Sequence, residues 1–312
     1  MVTGGAGFIG SHLVDRIIRE NPEKVIVVDN FFLGNQNNLK YVTEKLGDRF
    51  KLYYQDAGHY EKMKNIFEIE KPNVVFNLAV VPLLASHILP KITCEDNIQI
   101  TLSVLELLRK GLYDTLVHCS SSEVYGTSVK DVMDENHPLN PTTPYAASKA
   151  SCDLLVQSYT NTFDLDTTIV RPFNNYGPRQ NEGSYAGVIP ITCKRIMNGE
   201  QPVVHGDGLQ TRDYIFVKDT VEGFIKVYNN PQSRDRVISL CTGEEITILD
   251  IVKYIVKYME YEGEIRFDKI RVADVRRHCG DTTSMRSVGF NTNTKFEEGI
   301  KETIGWYQKE TN

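Results

Sequence analysis

Tyr145 and Lys149, in the stretch YAASK, pair a phenol with an amine four residues further on. If this segment is helical, the two side chains lie on one face of the helix. A lysine ammonium beside a phenol favours the phenolate and so lowers the pKa of the phenol, which makes a base that can take a hydroxyl proton while hydride leaves the carbon. The interval alone predicts nothing, because it also occurs at Tyr41 and Lys45, Tyr60 and Lys64, and Tyr214 and Lys218.

Tyr145 differs from the other tyrosines because it follows the stretch HCSSSEVYG (118–126), in which three serines run into Glu123. The apolar run before these serines predicts a strand, and ligands bind at the carboxyl ends of parallel strands. A carboxylate at that place is either a base aimed at a substrate or a hydrogen-bonded structural residue. We therefore predict a single site that contains Ser121 and Glu123 together with Tyr145 and Lys149.

A glycine-rich stretch, TGGAGFIG (3–10), places Gly4, Gly7 and Gly10 just before a predicted helix. Such glycines allow a tight turn and a close approach of backbone to pyrophosphate, and the helix N-terminus attracts phosphate charge. Asp29 follows Gly10 by 19 residues, at the end of the next predicted strand, where an acid binds the ribose hydroxyls of adenosine. An acid there repels a 2′-phosphate, and the following NFFLGNQNN brings no arginine to receive one, so the sequence predicts NAD rather than NADP. A glycine turn without a ligand is the alternative.

These residues need a scaffold, and the first half of the chain alternates short apolar runs with segments of helical period. The predicted strands are 24–29, 51–56, 73–79, 115–120 and 167–172, and the predicted helices are 9–20, 60–70, 93–110 and 145–162. This alternation predicts an α/β fold with a Rossmann-type, doubly wound parallel sheet. Only Met1 and Val2 precede the glycine loop's TGG, so the first strand is either very short or begins with residues that this sequence lacks.

After residue 172 the alternation loosens, and Gly, Pro and Asn become frequent. We predict an NAD-binding Rossmann domain over 1–172 and a smaller, interleaved C-terminal region over 173–312 that mainly binds substrate, with some segments packing back on the first domain. Helical patterns cover 188–198, 219–228 and 248–259. The last helix is expected to start at a capping box formed by Thr294 and Glu297.

Composition excludes several classes of function. The 312 residues carry a net charge of -6 with scattered basic residues, which argues against a nucleic-acid or anionic-membrane surface. The six cysteines show no CxxC spacing, which fits reduced thiols without a metal site. With no apolar run long enough to span a membrane and no leader pattern, we expect a cytoplasmic enzyme.

Together the motifs resemble those of the extended short-chain dehydrogenase/reductase family, the nucleotide-sugar epimerases and dehydratases. The matching stretches are TGGAGFIG, VVDN (27–30), NLA (77–79), SSSEVYG, YAASK, RPFNNYGPRQ (171–180), GDGLQTRDYIFVKD (206–219) and RVADVRRHCGDTTS (271–284). They span nearly the whole chain in the order that the family has them. The resemblance implies a nucleotide-diphosphate sugar as substrate, NAD as cofactor, and a homodimer formed through the helices predicted at 93–110 and 145–162.

Carried over residue by residue, the resemblance implies that Tyr145 is the base and that Lys149 modifies its pKa and binds the nicotinamide ribose. Ser121 would hydrogen-bond the sugar 4-hydroxyl. The other residues that the resemblance assigns to cofactor binding are Gly4, Gly7, Phe8, Ile9, Gly10, Asp29, Asn30, Asp56, Ala57, Leu78 and Ala79. Those it assigns to substrate binding are Ser121, Ser122, Asn174, Arg212 and Arg271, the arginines being suited to diphosphate or, alternatively, to surface salt bridges. Arg276, Arg277 and His278 match less closely and can be read as solvated, and Cys119 and Cys279 as packed small residues.

Glu123 selects among the reactions of this family. After oxidation at C4, a carboxylate beside C5 can remove the C5 proton and start a 4,6-dehydration, whereas an epimerase needs no such base. Glu123 therefore favours a dehydratase. In many of the hexose dehydratases that this chain resembles, however, the position of Ser122 is an aspartate that protonates the departing hydroxyl. A UDP-hexose 4-epimerase is the alternative. A UDP-glucuronate decarboxylase, with Arg276 or Arg277 binding the substrate carboxylate, and an inactive NAD-sensing protein are less favoured.

Overall fold

The computed structural model describes residues 1–183, 186–270 and 275–310. The strands, in chain order, are β1 (Val2–Thr3), β2 (Val25–Asp29), β3 (Phe50–Tyr54), β4 (Val74–Asn77), β5 (Thr115–Cys119), β6 (Thr167–Pro172), β7 (Asn174–Tyr176), β8 (Val203–His205), β9 (Thr211–Arg212), β10 (Tyr214–Phe216), β11 (Arg236–Leu240), β12 (Ile246–Thr247) and β13 (Arg266–Asp268). The α-helices are α1 (Phe8–Ile17), α2 (Lys40–Leu46), α3 (Tyr60–Glu70), α4 (Leu83–Ser86), α5 (Pro90–Arg109), α6 (Pro144–Phe163), α7 (Val188–Met197), α8 (Val217–Asn229), α9 (Ile248–Tyr258), α10 (Thr283–Ser287) and α11 (Phe296–Glu310).

A seven-stranded sheet lies at the centre, in the order β11-β6-β5-β4-β1-β2-β3. Every pairing within it is parallel. All residues of β2 and β6 are buried, as expected for parallel strands covered on both faces. The predicted Rossmann-type, doubly wound fold is confirmed.

The first strand, β1, contains only Val2 and Thr3. It is nevertheless paired on both sides, with Thr3 in register with Val28 of β2 and with Asn77 of β4. The chain then turns directly into the glycine loop.

Two apolar clusters fill the space on either side of this sheet. One includes Leu105 of α5, Leu116 of β5 and Ile169 of β6. The other includes Leu13 of α1 and Phe224 of α8. Helices therefore cover both faces, and α5 packs along α6 on one of them while α1 packs along α8 on the other.

The second half of the chain adds a strand to the central sheet and also forms smaller sheets. β11 extends the central sheet beside β6, whereas β7 pairs with β10, β9 with β12 and β8 with β13 in two-stranded sheets. Helices α7, α9 and α11 enclose a third apolar cluster that contains Cys193, Ile251 and Ile300. Phe8 and Ile9, in the first turn of α1, pack against this cluster and so join the two halves.

Most predicted elements are found, but the start of the last helix is not where we expected it. α11 begins at Phe296, and the N–H groups of Glu298 and Gly299 donate to the carbonyl of Lys295. The predicted capping box at Thr294 and Glu297 is therefore wrong. The physical reason is that Asp219 of α8 accepts the backbone N–H of Thr294 at 2.9 Å, so a residue distant in sequence satisfies this turn.

Candidate active site

The glycine loop lies between β1 and α1, where the backbone is too crowded for side chains. Gly4 has φ +67, and a Cβ on it would lie 2.7 Å from the backbone nitrogen of Ala79. A Cβ on Gly10 would lie 2.1 Å from the carbonyl oxygen of Gly4. Gly7 is the N-cap of α1 and has no side chain to cap it, so the helix N-terminus presents backbone N–H groups to an anion.

Asp29, at the end of β2, braces this loop. Its Oδ2 accepts the backbone N–H of Ala6 at 2.8 Å, and its Oδ1 accepts that of Phe31 at 2.8 Å. Burial raises the pKa of the Asp29 carboxyl, and these two hydrogen bonds to the carboxylate oppose the rise. Each carboxylate oxygen keeps a further lone pair that could accept from a ribose hydroxyl.

The remaining residues predicted to bind the cofactor follow the carboxyl ends of neighbouring strands. Asn30 follows β2, and its Nδ2 donates to Asp56 Oδ2, beyond β3, at 3.3 Å. Ala57 is buried beside Asp56. Leu78 and Ala79 follow β4, and the N–H of Leu78 donates to the carbonyl of Thr3 at 3.1 Å. The predicted residues thus line one edge of the sheet, and the crowded loop beside Asp29 fits a dinucleotide.

Ser121 and Glu123 lie on a single turn of 3-10 helix (Ser122–Tyr125) that follows β5. Ser121 is its N-cap, and the Ser121 Oγ accepts the backbone N–H of Glu123 at 3.2 Å. Tyr145 lies in the first turn of α6, close enough to Ser121 for the serine side chain to lower the pKa of its phenol. The charge of Glu123 raises the pKa of the same phenol, so the three predicted residues lie near one another.

Lys149 lies one turn further along α6. Its Nζ donates to the carbonyl of Cys119 at 2.6 Å. Burial raises the pKa of Tyr145 well above its ordinary value, the hydrogen bond from Ser121 opposes the rise, and the nearby Glu123 carboxylate adds to it. The lowering of the phenol pKa by Lys149 stays a prediction.

A buried ion pair contacts this turn, and we did not predict it from the sequence. Arg171 of β6 donates from Nε to Asp153 Oδ2 at 2.8 Å and from Nη1 to the hydroxyl of Tyr125 at 2.9 Å. The side chains of Arg171 and Asp153 are 2% and 0% exposed. The pair ties β6 and α6 to the turn that carries Glu123. The sequence feature that could have indicated the ion pair is the arginine inside the apolar run TTIVRP.

Two further predicted substrate residues, Asn174 and Arg212, lie in the second half of the chain. Asn174 begins β7, and among the described residues no group accepts a hydrogen bond from its buried Nδ2. Arg212 of β9 is buried, and its Nη1 donates to the carbonyl of Thr211 at 2.8 Å. Arg271 lies outside the described residues.

We interpreted residues 276–278 as solvated, but these residues differ in burial. Arg276 forms an exposed ion pair with Asp207 at 2.9 Å, and Arg277 binds Glu245 at 2.7 Å. Both carboxylates compete with a substrate carboxylate for these arginines. His278, by contrast, is fully buried, and its Nε2 lies 3.1 Å from the carbonyl oxygen of Ser122. A solvated position is therefore wrong for His278, because the backbone turns this side chain inward while Arg276 stays exposed.

Ser122 and the cysteines near the site offer little acid–base capacity. Ser122 is buried. Burial raises the pKa of the Cys119 and Cys279 thiols to about 11, so neither is a thiolate near neutral pH. Among the described residues no group of three or more His, Cys, Asp or Glu side chains could hold a metal ion. No helix in the described part of the chain is long and apolar enough to cross a membrane.

Comparison with known proteins identifies the family of this chain. The family model described as GDP-mannose 4,6 dehydratase matches residues 1–303. The UDP-glucose 4-epimerase of Mycolicibacterium smegmatis is 32% identical over 314 residues, which cover 100% of this chain and 99% of that protein.

Solved structures include members with both activities. The UDP-glucose 4-epimerase of Thermotoga maritima, determined with UDP-glucose, gives a TM-score of 0.92 at 32% identity and covers 100% of this chain and 99% of its own. The dTDP-glucose 4,6-dehydratase of Bacillus anthracis, in complex with NAD, gives 0.88 at 28% identity and covers 99% and 96%. This chain therefore belongs to the extended short-chain dehydrogenase/reductase family of nucleotide-sugar epimerases and dehydratases.

Proposed function

We propose that this protein is an NAD-dependent nucleotide-sugar dehydratase that acts through a 4-keto intermediate. The observation that carries the proposal is the turn after β5, where the Glu123 N–H donates to Ser121 Oγ and the side chains of both residues act on the pKa of the Tyr145 phenol. One turn thus combines the groups for oxidation at C4 with a carboxylate that could reach C5. The relatives named as dehydratases support this assignment.

The groups that would hold NAD are the glycine loop and the strand ends beside it. The loop N–H groups would bind the pyrophosphate, Asp29 the adenosine ribose, and Lys149 with Tyr145 the nicotinamide ribose. NAD held by these groups would supply an acceptor for the C4 hydride and a positive charge on its nicotinamide ring. A nearby positive charge favours phenolate, which would offset the burial that raises the pKa of Tyr145.

Tyr145 would take the proton of the sugar 4-hydroxyl, with Ser121 positioning that oxygen. The Ser121 hydroxyl already accepts the Glu123 N–H, and it has one proton to donate. It therefore donates to the sugar oxygen when Tyr145 is a phenol and can donate to Tyr145 when that group is a phenolate. This exchange keeps every group on the turn hydrogen-bonded through the proton transfer.

Glu123 would then remove the C5 proton, which the C4 ketone makes acidic. Elimination breaks the C6–O bond, and the departing hydroxyl needs a proton to leave as water. Ser122 is buried and is an alcohol, so it is a poor acid. Protonated Glu123 is the one carboxylic acid on the turn 121–125, and we propose that it passes the C5 proton to the departing oxygen. The hydride taken from C4 would then be returned to C6 and a solvent proton added at C5, which gives the 4-keto-6-deoxy sugar and leaves NAD unchanged.

A UDP-hexose 4-epimerase remains the second candidate, favoured by the absence of an acid at Ser122 and by the likeness to the Thermotoga maritima enzyme. It would use Ser121, Tyr145 and Lys149 in the same way and leave Glu123 as a structural carboxylate. The decarboxylase alternative loses support because Arg276 and Arg277 are held by Asp207 and Glu245.

The experiment incubates the protein with UDP-glucose, UDP-N-acetylglucosamine, dTDP-glucose and GDP-mannose in D2O and follows each sugar by NMR. Dehydration predicts loss of the C6 hydroxyl with deuterium at C5. Glu123→Gln should lower kcat by about 100-fold or more, because a general acid–base group typically contributes that much. Glu95→Gln, at an exposed glutamate of α5, is the matched control and should leave kcat unchanged.

A C4 epimer formed without exchange at C5, at a rate that Glu123→Gln leaves intact, would show that the protein is an epimerase. No turnover of any of the four substrates, together with NAD binding, would favour the inactive NAD-sensing protein instead.

We further propose that the protein works as a cytoplasmic homodimer. Ile92 on α5 and Leu154 and Phe163 on α6 expose large apolar side chains, on the two helices that the resemblance assigns to the dimer. The cysteines are unpaired, as in a reducing compartment. Sedimentation should give a dimer, and Leu154→Lys should give monomers; a monomeric wild type would contradict the proposal.

A further inference from the structure

The segment 276–281, which we call the bridging segment, joins the substrate side of the site to the loop that follows the Ser121 turn. On one side, Thr211 N–H donates to the carbonyl of Arg276 at 3.1 Å, and Gly280 N–H donates to Asp213 Oδ2 at 3.2 Å. Thr211 and Asp213 are the two neighbours of Arg212 in the chain. The bridging segment is therefore bonded to the backbone of one neighbour of Arg212 and to the side chain of the other.

The other side of the bridging segment pairs with residues 128–133. Ser128 N–H donates to the carbonyl of Arg277 at 3.2 Å, and Met133 N–H donates to that of Cys279 at 2.8 Å. The N–H of Asp281 returns a bond to the carbonyl of Met133 at 3.0 Å. A displacement of the backbone at Arg212 would thus be carried to the loop that leaves the catalytic turn.

His278 is in the middle of the bridging segment, and its side chain is 0% exposed. Its Nε2 lies 3.1 Å from the carbonyl oxygen of Ser122, and its ring packs on Phe173 with centroids 5.0 Å apart. A carbonyl only accepts, so Nε2 carries the proton. Burial and the nearby Arg212 guanidinium lower the pKa of His278 to about 4, so the ring is neutral and Nδ1 is unprotonated. Among the described residues Nδ1 has no hydrogen-bond partner, so the bond to Ser122 is the one polar contact of the ring there.

The hydrogen bond from His278 holds the peptide unit that joins Ser122 to Glu123. The Ser122 carbonyl and the Glu123 N–H belong to one planar peptide unit. His278 binds the carbonyl end of this unit, and Ser121 Oγ binds the N–H end at 3.2 Å. With both ends held, the peptide cannot rotate, so the direction of the Ser121 hydroxyl and the Cα–Cβ direction of Glu123 are set together.

We propose that His278 is a positioning residue that aligns Ser121 and Glu123 through the Ser122–Glu123 peptide and couples this alignment to phosphate binding at Arg212. The proposal rests on the proposed function in one respect, that Ser121 and Arg212 both touch the nucleotide sugar. It does not depend on whether the product is a dehydrated sugar or an epimer, because oxidation at C4 is common to both.

Two variants separate the hydrogen bond from the packing of the ring. His278→Phe keeps a ring against Phe173 but has no donor, and His278→Gln restores an N–H near the position of Nε2. His87→Phe, at an exposed histidine, is the matched control. Assays use the full chain with NAD and whichever nucleotide sugar the wild type turns over.

For His278→Phe we expect kcat to fall at least tenfold while KM for the sugar and the Kd of NAD stay within about threefold. His278→Gln should recover kcat to within about threefold of the wild type. Hydrogen–deuterium exchange of a peptide covering 119–126 should be faster in His278→Phe than in the wild type, and His87→Phe should change neither quantity. Unchanged kcat in His278→Phe, or an equal loss in His278→Phe and His278→Gln, would overturn the proposal.

A measurement on the wild type tests the coupling and does not need turnover. With histidine labelled with 15N, His278 should give a slowly exchanging Nε2–H resonance that shifts when UDP or dTDP is added. Arg212→Gln should abolish the shift and leave the resonance in place. The opposite tautomer, or a resonance that neither diphosphate moves in a protein that binds them, would refute the coupling. Absence of turnover on every sugar with these resonances intact would instead count against the proposed function.

Discussion

Replacing Arg171 by Met tests the buried ion pair behind the catalytic turn. The wild-type guanidinium donates to Asp153 at 2.8 Å and to the Tyr125 hydroxyl at 2.9 Å, and both members of the ion pair are almost fully buried. Removing one partner of such a pair leaves an uncompensated buried charge, which typically costs about 3–5 kcal/mol. We therefore expect Arg171→Met to lower the free energy of unfolding by about 4 kcal/mol near neutral pH.

The double variant Arg171→Met with Asp153→Leu should be more stable than Arg171→Met alone. Removing both charges leaves no unpaired ion, and apolar side chains of similar volume can replace a buried pair at little net cost. Arg277→Met is the control, because Arg277 forms a more exposed pair with Glu245 that should contribute only about 0–1 kcal/mol.

The loss should also depend on pH in a defined direction. Burial raises the pKa of Asp153, and Arg171 opposes that rise. Without Arg171 the carboxyl in the folded protein is protonated at a higher pH than in the unfolded chain. Folding then takes up a proton, so the destabilisation of Arg171→Met is greatest at high pH and shrinks as pH falls.

Urea denaturation followed by circular dichroism, at pH 8 and pH 5.5, measures these differences for the single, double and control variants. A loss below about 1 kcal/mol in Arg171→Met would refute the reasoning, since it would mean that the charge on Asp153 is compensated by other groups. A double variant no more stable than the single one would do the same.

Two further predictions follow from the glycine loop and from His278. Gly10→Ala should raise the Kd of NAD at least tenfold by calorimetry, because its Cβ would lie 2.1 Å from the Gly4 carbonyl, whereas Gly305→Ala on α11 meets nothing within 4 Å and should leave the Kd unchanged. His278 has a pKa of about 4 in the folded protein against an ordinary 6.5, so its contribution to stability is fully present above pH 6.5 and is lost as pH falls towards 4, by about 3 kcal/mol in total. Urea denaturation should show this slope in the wild type and a shallower one in His278→Gln; equal slopes would contradict it.

The sequence predicted those elements whose information is local. The strand at 167–172 and the helix at 60–70 have the predicted bounds, because apolar periodicity and β-branched residues are read within one segment. The meeting of Ser121, Glu123 and Tyr145 was also predictable, since residues after parallel strands gather at one edge of the sheet.

Features that depend on distant residues were missed. Thr294 looked like a helix cap, but Asp219 satisfies that turn from another helix. Arg171 lies in a correctly predicted strand, yet its role depends on Asp153, which is 18 residues away. His278 follows two arginines in a charged run, and its segment is held by hydrogen bonds with residues 128–133 and 211–213, which the local pattern does not contain.

The way in which the Ser121 turn is held has an evolutionary consequence. Its contacts run from the Ser121 hydroxyl to a backbone N–H and from His278 to a backbone carbonyl, so neither involves the side chain at position 123. A residue at that position can therefore be exchanged without refolding the turn. Enzymes that share this arrangement could move between elimination and simple inversion by one substitution, which would explain how a single scaffold accommodates relatives of both kinds at similar sequence distances.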